Sequence, residues 1–290
     1  MPAVLRRSCA MVSFVLAACW TAGLLAAERD TAVSPKEGVI KLFNGKNLDG
    51  LYVWLKETKY KDPRHVFSVQ NGMLHVSGDG LGGVITKQPY RDYHLIIEFK
   101  WGRKTWRNRT KRTKDSGLLF HGTGPDGGYN GTWLNSIESN IIQGGMGDFI
   151  LVRGKDKTGK PLPMSMTCEV TKDRDGETVW KAGAPRKTFH RGRINWFGRD
   201  PDWKDVLSFR GKQDVESPHG QWTRMDLICD GGHVVVLVNG VKVNEGFDTV
   251  PSYGKILLQT ELAEIYYRRW ELWPLGKAPK FDKTTFRFKD

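Results

Sequence analysis

The sequence has little cysteine, no metal-binding spacing and no long helical period, and each shortage excludes a class of protein. Four cysteines occur in 290 residues, and Cys9 and Cys19 lie inside an apolar N-terminal run. Only Cys168 and Cys229 remain beyond it, enough for one disulfide and too few for a disulfide scaffold. No CxxC or HExxH spacing is present, so a structural zinc site has no support. The Gly-x-Ser-x-Gly elbow of acyl-transfer enzymes is missing. Gly144-Gly145-Met146-Gly147 lacks the Gly-Lys-Ser/Thr ending of a phosphate loop. Solenoid or propeller repeats and low-complexity tracts are absent as well.

What is present begins with Arg6 and Arg7, followed by an uncharged apolar run from Cys9 to Ala27 and an abrupt return to polarity at Glu28-Arg29-Asp30. Residues 1–27 read as an export signal cleaved near Ala26 or Ala27, and the expected location is periplasmic or extracellular. Ser13, Thr21 and Gly23 interrupt the run, which is marginal for a membrane span, so none is expected. Leu16-Ala17-Ala18-Cys19 leaves an alternative, a lipobox that would anchor the chain through a lipid on Cys19. Residues 28–38 then read as a short linker, 39–276 as one domain and 277–290 as a C-terminal tail. The formal charge is +13, which favours acidic partners. Export makes an anionic glycan a better partner than nucleic acid, which is not expected.

Short apolar or alternating runs bounded by Gly, Asn, Asp and Pro predict an all-β chain. Eleven strands are expected, among them Tyr93 to Trp101, Ser116 to Gly122, Ser136 to Ile142, His233 to Val238, Lys255 to Gln259 and Glu264 to Trp273. Asn71-Gly72, Asp230-Gly231 and Asn239-Gly240 predict three tight hairpins. Many closely spaced strands mean a sandwich or barrel. Arg103 to Lys114, with seven Lys or Arg in twelve residues, and Arg153 to Gly220 read as surface loops.

Strand alternation puts Glu138 and Asn140 on one face and Ile137 and Ile141 on the other. The same rule groups Glu264, Tyr266, Arg268 and Trp270 on one side and Ile265, Tyr267 and Arg269 on the other. Two carboxylates such as Glu138 and Glu264 can divide general acid and base work when their surroundings separate their pKa values. Equally, either glutamate could be solvated or ion-paired. His121 closes a strand beside a Gly-rich loop and is a candidate base or a surface histidine. Tyr129 and Trp133 offer rings for stacking on a sugar, although core aromatics are commoner.

Leu42-Phe43-Asn44-Gly45-Lys46-Asn47-Leu48-Asp49-Gly50, Phe67-Ser-Val-Gln-Asn-Gly72, Tyr93 to Phe99, Asp115-Ser-Gly-Leu-Leu-Phe-His121, Ser136-Ile-Glu138 to Ile142 and Gly254 to Gln259 with Glu264 to Arg268 follow one order. In that order they resemble the motifs of the 3-keto-disaccharide hydrolase domain family. The resemblance implies a concanavalin A-like jelly-roll β-sandwich of two antiparallel sheets with a carbohydrate groove. It also implies cleavage of glycosides already oxidised at C3, whose ketone acidifies the C2 hydrogen so that a base can remove it and the C1 substituent can leave. An oligosaccharide or glycoside is the implied substrate. Glu138 is the implied catalytic carboxylate or ligand of a divalent metal ion, with Gln259, Glu264 and Arg268 in support. His121, Asn140 and Arg269 stand where the family has Arg, Gln and Asn, which opens a difference in substrate or a loss of activity. A non-catalytic carbohydrate-binding module and a basic envelope protein that binds anionic glycan are the alternatives.

Overall fold

The computed structural model describes residues 31–290. The export signal and the Cys19 lipobox therefore lie outside the described residues. Two antiparallel sheets pack face to face, as the period-2 pattern predicts. The smaller has seven strands in the order Gly192–Ile194, Phe149–Val152, Asn135–Ile142, Asp115–Thr123, Lys255–Glu261, Leu81–Thr86 and Leu51–Leu55. The larger has eleven, with Tyr93–Thr105 between Thr223–Asp230 and Ala263–Trp273 near its centre. Long-range strand neighbours such as Lys255–Glu261 against both Asp115–Thr123 and Leu81–Thr86 give the crossed connections of a jelly roll.

The alternation rule holds along the central strands. Leu118, Phe120, Ile137, Ile141, Ile256 and Leu258 point between the sheets and join Leu95, Ile97, Phe99, Met225, Leu227, Tyr267 and Trp270 in one core. Their neighbours Leu119, Leu257 and Ile85 point outward and form a second apolar cluster with Trp54 and Leu134. The seven-stranded sheet is therefore packed on both faces, which requires something to cover its outer side.

For residues 153–220 the sequence predicts a surface loop. The structure instead forms Ser165–Lys172, Thr178–Trp180, Arg186–Phe189 and Gly192–Ile194 there, and Met164, Met166, Cys168, Trp180, Ile194 and Trp196 enter the core. Charged residues at the turns hid these short strands. Asn71-Gly72 and Asn239-Gly240 both turn with positive φ at each residue, as the hairpin reading requires. Cys168 and Cys229 are buried free thiols, so the disulfide that the count allowed is not formed.

Two ends are tied down. Val33 of the expected linker exchanges backbone hydrogen bonds with Pro89 and Arg91. In the C-terminal tail the Phe288 carbonyl accepts from the Trp222 backbone N–H at 2.7 Å, and Asp290 accepts from the Trp222 indole at 2.8 Å. No helix among the described residues is long and apolar enough to cross a membrane.

Candidate active site

The outer face of the seven-stranded sheet carries a polar cluster built on three adjacent strands. Asn135–Ile142 supplies Glu138 and Asn140, Asp115–Thr123 supplies Asp115, and Lys255–Glu261 supplies Gln259 and Glu261. Registers pair Gly117 with Asn140 and Leu119 with Glu138. Gly117 is a gap between two side chains: a Cβ there would come within 2.4 Å of Glu138 Oε1 and 2.5 Å of Gln259 Oε1. The absence of a side chain at this position lets the carboxyl and the amide approach each other over bare backbone.

Asn140 Nδ2 donates to Glu138 Oε1 at 2.8 Å and to Asp115 Oδ1 at 3.1 Å, holding the two carboxyls in place. Arg109 ion-pairs with Asp115 and reaches Glu261 at 3.4 Å. Arg193 contacts Asn140 Oδ1 at 3.3 Å and is drawn aside by Asp148 at 2.6 Å. Glu138 has no ion pair among the described residues. Burial pushes its pKa up to about 8, Asp115 pushes in the same direction, and Asn140 and Arg193 pull back. Burial, followed by Asp115 and Glu138, holds Glu261 well above the usual carboxylate range. Gln259 Oε1 is buried and has no hydrogen-bond partner among the described residues. A buried acceptor left open beside a raised carboxyl is the arrangement expected where a ligand completes the hydrogen bonding.

Next to this cluster lies the outward apolar patch, with Trp133 and Tyr52 packed on it. Trp133 donates its indole N–H to the Gly82 carbonyl at 3.2 Å and stacks with Tyr129, centroids 6.2 Å apart. Trp54 meets Tyr60 edge-on at 4.9 Å, and Tyr60 is 62% exposed. Tyr52 and Tyr60 both donate to Asp126 at 2.8 Å. Rings flanking a polar centre suit a sugar, whose faces are apolar and whose edges are polar.

The structure brings together Glu138, Asn140 and Gln259, with Trp133 and Tyr129 on the same face, and separates four other predicted residues. Glu264 stands on the larger sheet, not beside Glu138. Its oxygens accept from His75 Nε2 at 3.0 Å, Tyr266 at 3.1 Å and the backbone N–H groups of Arg103 and Lys104 at 2.8 and 3.0 Å. Burial acts to raise its pKa, but the Lys104 amide, His75, Tyr266 and the Arg103 amide together hold it below normal. It is a satisfied structural carboxylate. Arg268 and Arg269 both grip Glu98 on the outer face of that sheet, at 2.6 and 3.1 Å. They share a side because the register slips between Tyr267 and Arg269, a bulge the sequence rule could not anticipate. The same slip sends Trp270 into the core with Ile265 and Tyr267, away from Glu264 and Tyr266.

His121 is fully buried between Tyr93 and Phe120, and neither ring nitrogen has a partner. Burial lowers its pKa to about 3, against a smaller opposing pull from the Pro251 backbone. A register shift between Phe120 and Thr123 turns it inward, so it does not face Glu138. Asp115, Glu261, Arg109 and Arg193 were missed by sequence reasoning. Asp115 and Glu261 follow from period-2 counting from Gly117 and Gln259; Arg109 was hidden in what looked like a solvated charge run. Among the described residues, one acidic trio is close enough to share an ion, Asp173, Asp175 and Glu177 in a turn outside this site. Glu138 is not part of it.

The β-sandwich is that of a carbohydrate-active, glycosyl hydrolase-like family. The chain belongs to the 3-keto-alpha-glucoside-1,2-lyase-like domain family, whose model matches residues 38–272. No curated protein matches the sequence. Among solved structures, a Parabacteroides distasonis protein provisionally assigned as a glycosyl hydrolase is 18% identical with a TM-score of 0.47, covering 83% of this chain and 95% of its own. A carbohydrate-binding module of Bacillus subtilis is 9% identical with a TM-score of 0.42, covering 77% of this chain and 94% of its own. A Bacillus licheniformis beta-glucanase is 11% identical with a TM-score of 0.40, covering 81% and 97%.

Proposed function

We propose that this chain is an exported enzyme that cleaves 3-keto-glycosides by elimination followed by hydration. The observation that carries the reading is Glu138: a buried carboxyl without an ion pair, held near pKa 8 beside the open acceptor of Gln259. A base whose pKa lies near the working pH combines adequate ionisation with strong proton affinity. In its ionised form Glu138 takes the C2 hydrogen as a proton, and the bond's electrons pass to the C3 oxygen as an enolate. Arg193, partly open to solvent beside Asn140, supplies the positive charge that oxygen needs. The enolate re-forms the ketone as the C1 substituent departs with its bonding electrons, and the proton on Glu138 passes to that leaving oxygen. Water then adds at C1 and a proton returns to C2, completing hydrolysis without a glycosyl-enzyme intermediate. The exposed Tyr60 with Trp54 and Trp133 offers a platform for the departing group.

Export rests on the order Arg6-Arg7, apolar run, Ala26-Ala27. The N-terminal sequence of protein recovered from a secreting host checks it; an intact Met1 would count against cleavage. For the chemistry, the protein is incubated with 3-keto-glucosides and ordinary glucosides beside Glu138→Gln. Release from the 3-keto substrates alone, lost by at least about 100-fold in the variant, is expected. Equal release by the variant, or none by the wild type, would sink the assignment. Binding without release would favour the non-catalytic glycan-binding reading.

A further inference from the structure

We propose a second ligand site, on the larger sheet and remote from Glu138, that takes an acidic sugar unit: a saccharide bearing a carboxylate or sulfate. A cavity of about 680 Å³ opens there, lined among others by Gln70, Asn71, Arg103, Lys104, His219 and Tyr266. That volume lies within the ~300–1,000 Å³ range of small-ligand sites.

The charge in this cavity is unbalanced because its carboxylates are already used. Glu264 accepts four hydrogen bonds from within the fold. Asp290 is divided between Lys100 and the Trp222 indole. Glu216, which accepts from the Trp101 indole at 3.0 Å behind the cavity wall, is pushed by burial to about 8 and so keeps its proton at neutral pH. Arg103 and Lys104, in contrast, have no carboxylate partner among the described residues, although most of the basic segment that follows them is paired: Arg107 with Glu57, Arg109 with Asp115, Arg112 with Asp205. The His219 ring reports the excess. Its Nδ1 lies 3.5 Å from the buried Lys114 ammonium, and after burial the charges of Lys114 and Arg103 are what depress its pKa. Two cations without carboxylate partners, lining one cavity with an imidazole that already feels positive charge, form a site for an anion. Arg103 presents the planar fork that suits a carboxylate or sulfate. The Asn71 amide lines the cavity, and the oxygens of Gln70 and Tyr266, whose own N–H and O–H groups are spent on His75 and Glu264, can accept from sugar hydroxyls, which a bare phosphate or chloride lacks.

The test is calorimetric titration of the full mature protein with an oligogalacturonate, a heparin-derived oligosaccharide and neutral maltohexaose. Binding of an acidic oligosaccharide is expected to weaken by about tenfold or more in Arg103→Ala/Lys104→Ala and to fall with added salt. It is expected to persist in Glu138→Gln and in Lys157→Ala/Lys160→Ala, which removes the same charge from an exposed turn elsewhere. Unchanged binding in the Arg103/Lys104 variant, equal loss in the Lys157/Lys160 variant, equally tight maltohexaose or no acidic binding by the wild type would each overturn the inference. Because Glu138→Gln abolishes the proposed turnover but not this binding, failure of the two readings is distinguishable. Thermal melts of both double variants, whose mutated side chains are exposed, verify that they fold.

Discussion

Glu138 differs from the carboxylates around it in lacking a cation. Asp115 has Arg109, Asp148 has Arg193 and Arg199, and Glu138 has an amide. All three arginines are taken by Asp115 and Asp148, and burial with the neighbouring Asp115 charge disfavours ionising the one carboxyl left without an ion pair, so it retains its proton. Its folded pKa of about 8 lies above the ordinary value of 4.5. The native state therefore binds more protons than the unfolded chain across that interval, and stability falls as pH rises from about 4.5 through 8. Glu138→Gln removes this loss. Its melting temperature is expected to match the wild type near pH 5 and to exceed it at pH 8, by roughly 2–4 °C for each kcal/mol of the loss removed. Scanning calorimetry at the two pH values checks it; a variant less stable at pH 8 contradicts the raised pKa. The kinetic counterpart is that turnover of a 3-keto-glycoside, which needs ionised Glu138, rises with pH and levels off above about 8. A profile that falls across this range would assign Glu138 the acid's part instead.

At the scale of the strand, Asp115–Thr123 sets the spacing of the site. Gly117 leaves room for Glu138 and Gln259, and a methyl group there would displace both. Gly117→Ala is expected to cost about 1–3 kcal/mol and at least about tenfold in turnover. Gly38→Ala, with nothing within 4 Å, is expected to change stability by less than about 0.5 kcal/mol. Melting curves and initial rates for the two variants give the comparison; a neutral Gly117→Ala would mean the cluster is looser than drawn. The face assignments of Glu138 and Asn140 were legible in the sequence because Asn135–Ile142 is a regular strand with a period of two. Those of His121, Arg269 and Trp270 were not, because Asp115–Thr123 and Ala263–Trp273 each carry a register shift, and one extra residue reverses every later side chain. Glu264 was read on the right strand but assigned to the wrong company: its strand belongs to the other sheet, and local alternation carries no information about sheet membership. Residues 153–220 escaped for a related reason, their strands being short and their turns charged enough to resemble a loop.

Across the whole molecule the two sheets divide the work. The smaller sheet turns the Glu138 cluster and its rings outward, while the larger sheet has its outer face partly covered by residues 277–290. Phe281, Phe286 and Phe288 pack on one another there, and Arg268 sits over both Phe286 and Trp222, at 5.3 and 4.5 Å from their ring centroids. Trp222 is 1% exposed, with the tail's Phe288 carbonyl and Asp290 carboxylate as its polar partners. A chain ended at Gly276 would uncover that indole and take Phe286 away from Arg268. Uncovering a large aromatic costs about 2 kcal/mol, so the truncated protein is expected to melt roughly 4–8 °C lower. Turnover per folded molecule is expected to stay within about twofold of the full chain, because no residue of the tail contacts the Glu138 cluster and the two lie on opposite sheets. Calorimetry and single-substrate kinetics on the truncated chain measure the two quantities separately. A stable but inactive truncation would mean that the larger sheet transmits strain to Glu138 through the shared core, and the division of labour between the sheets would have to be abandoned.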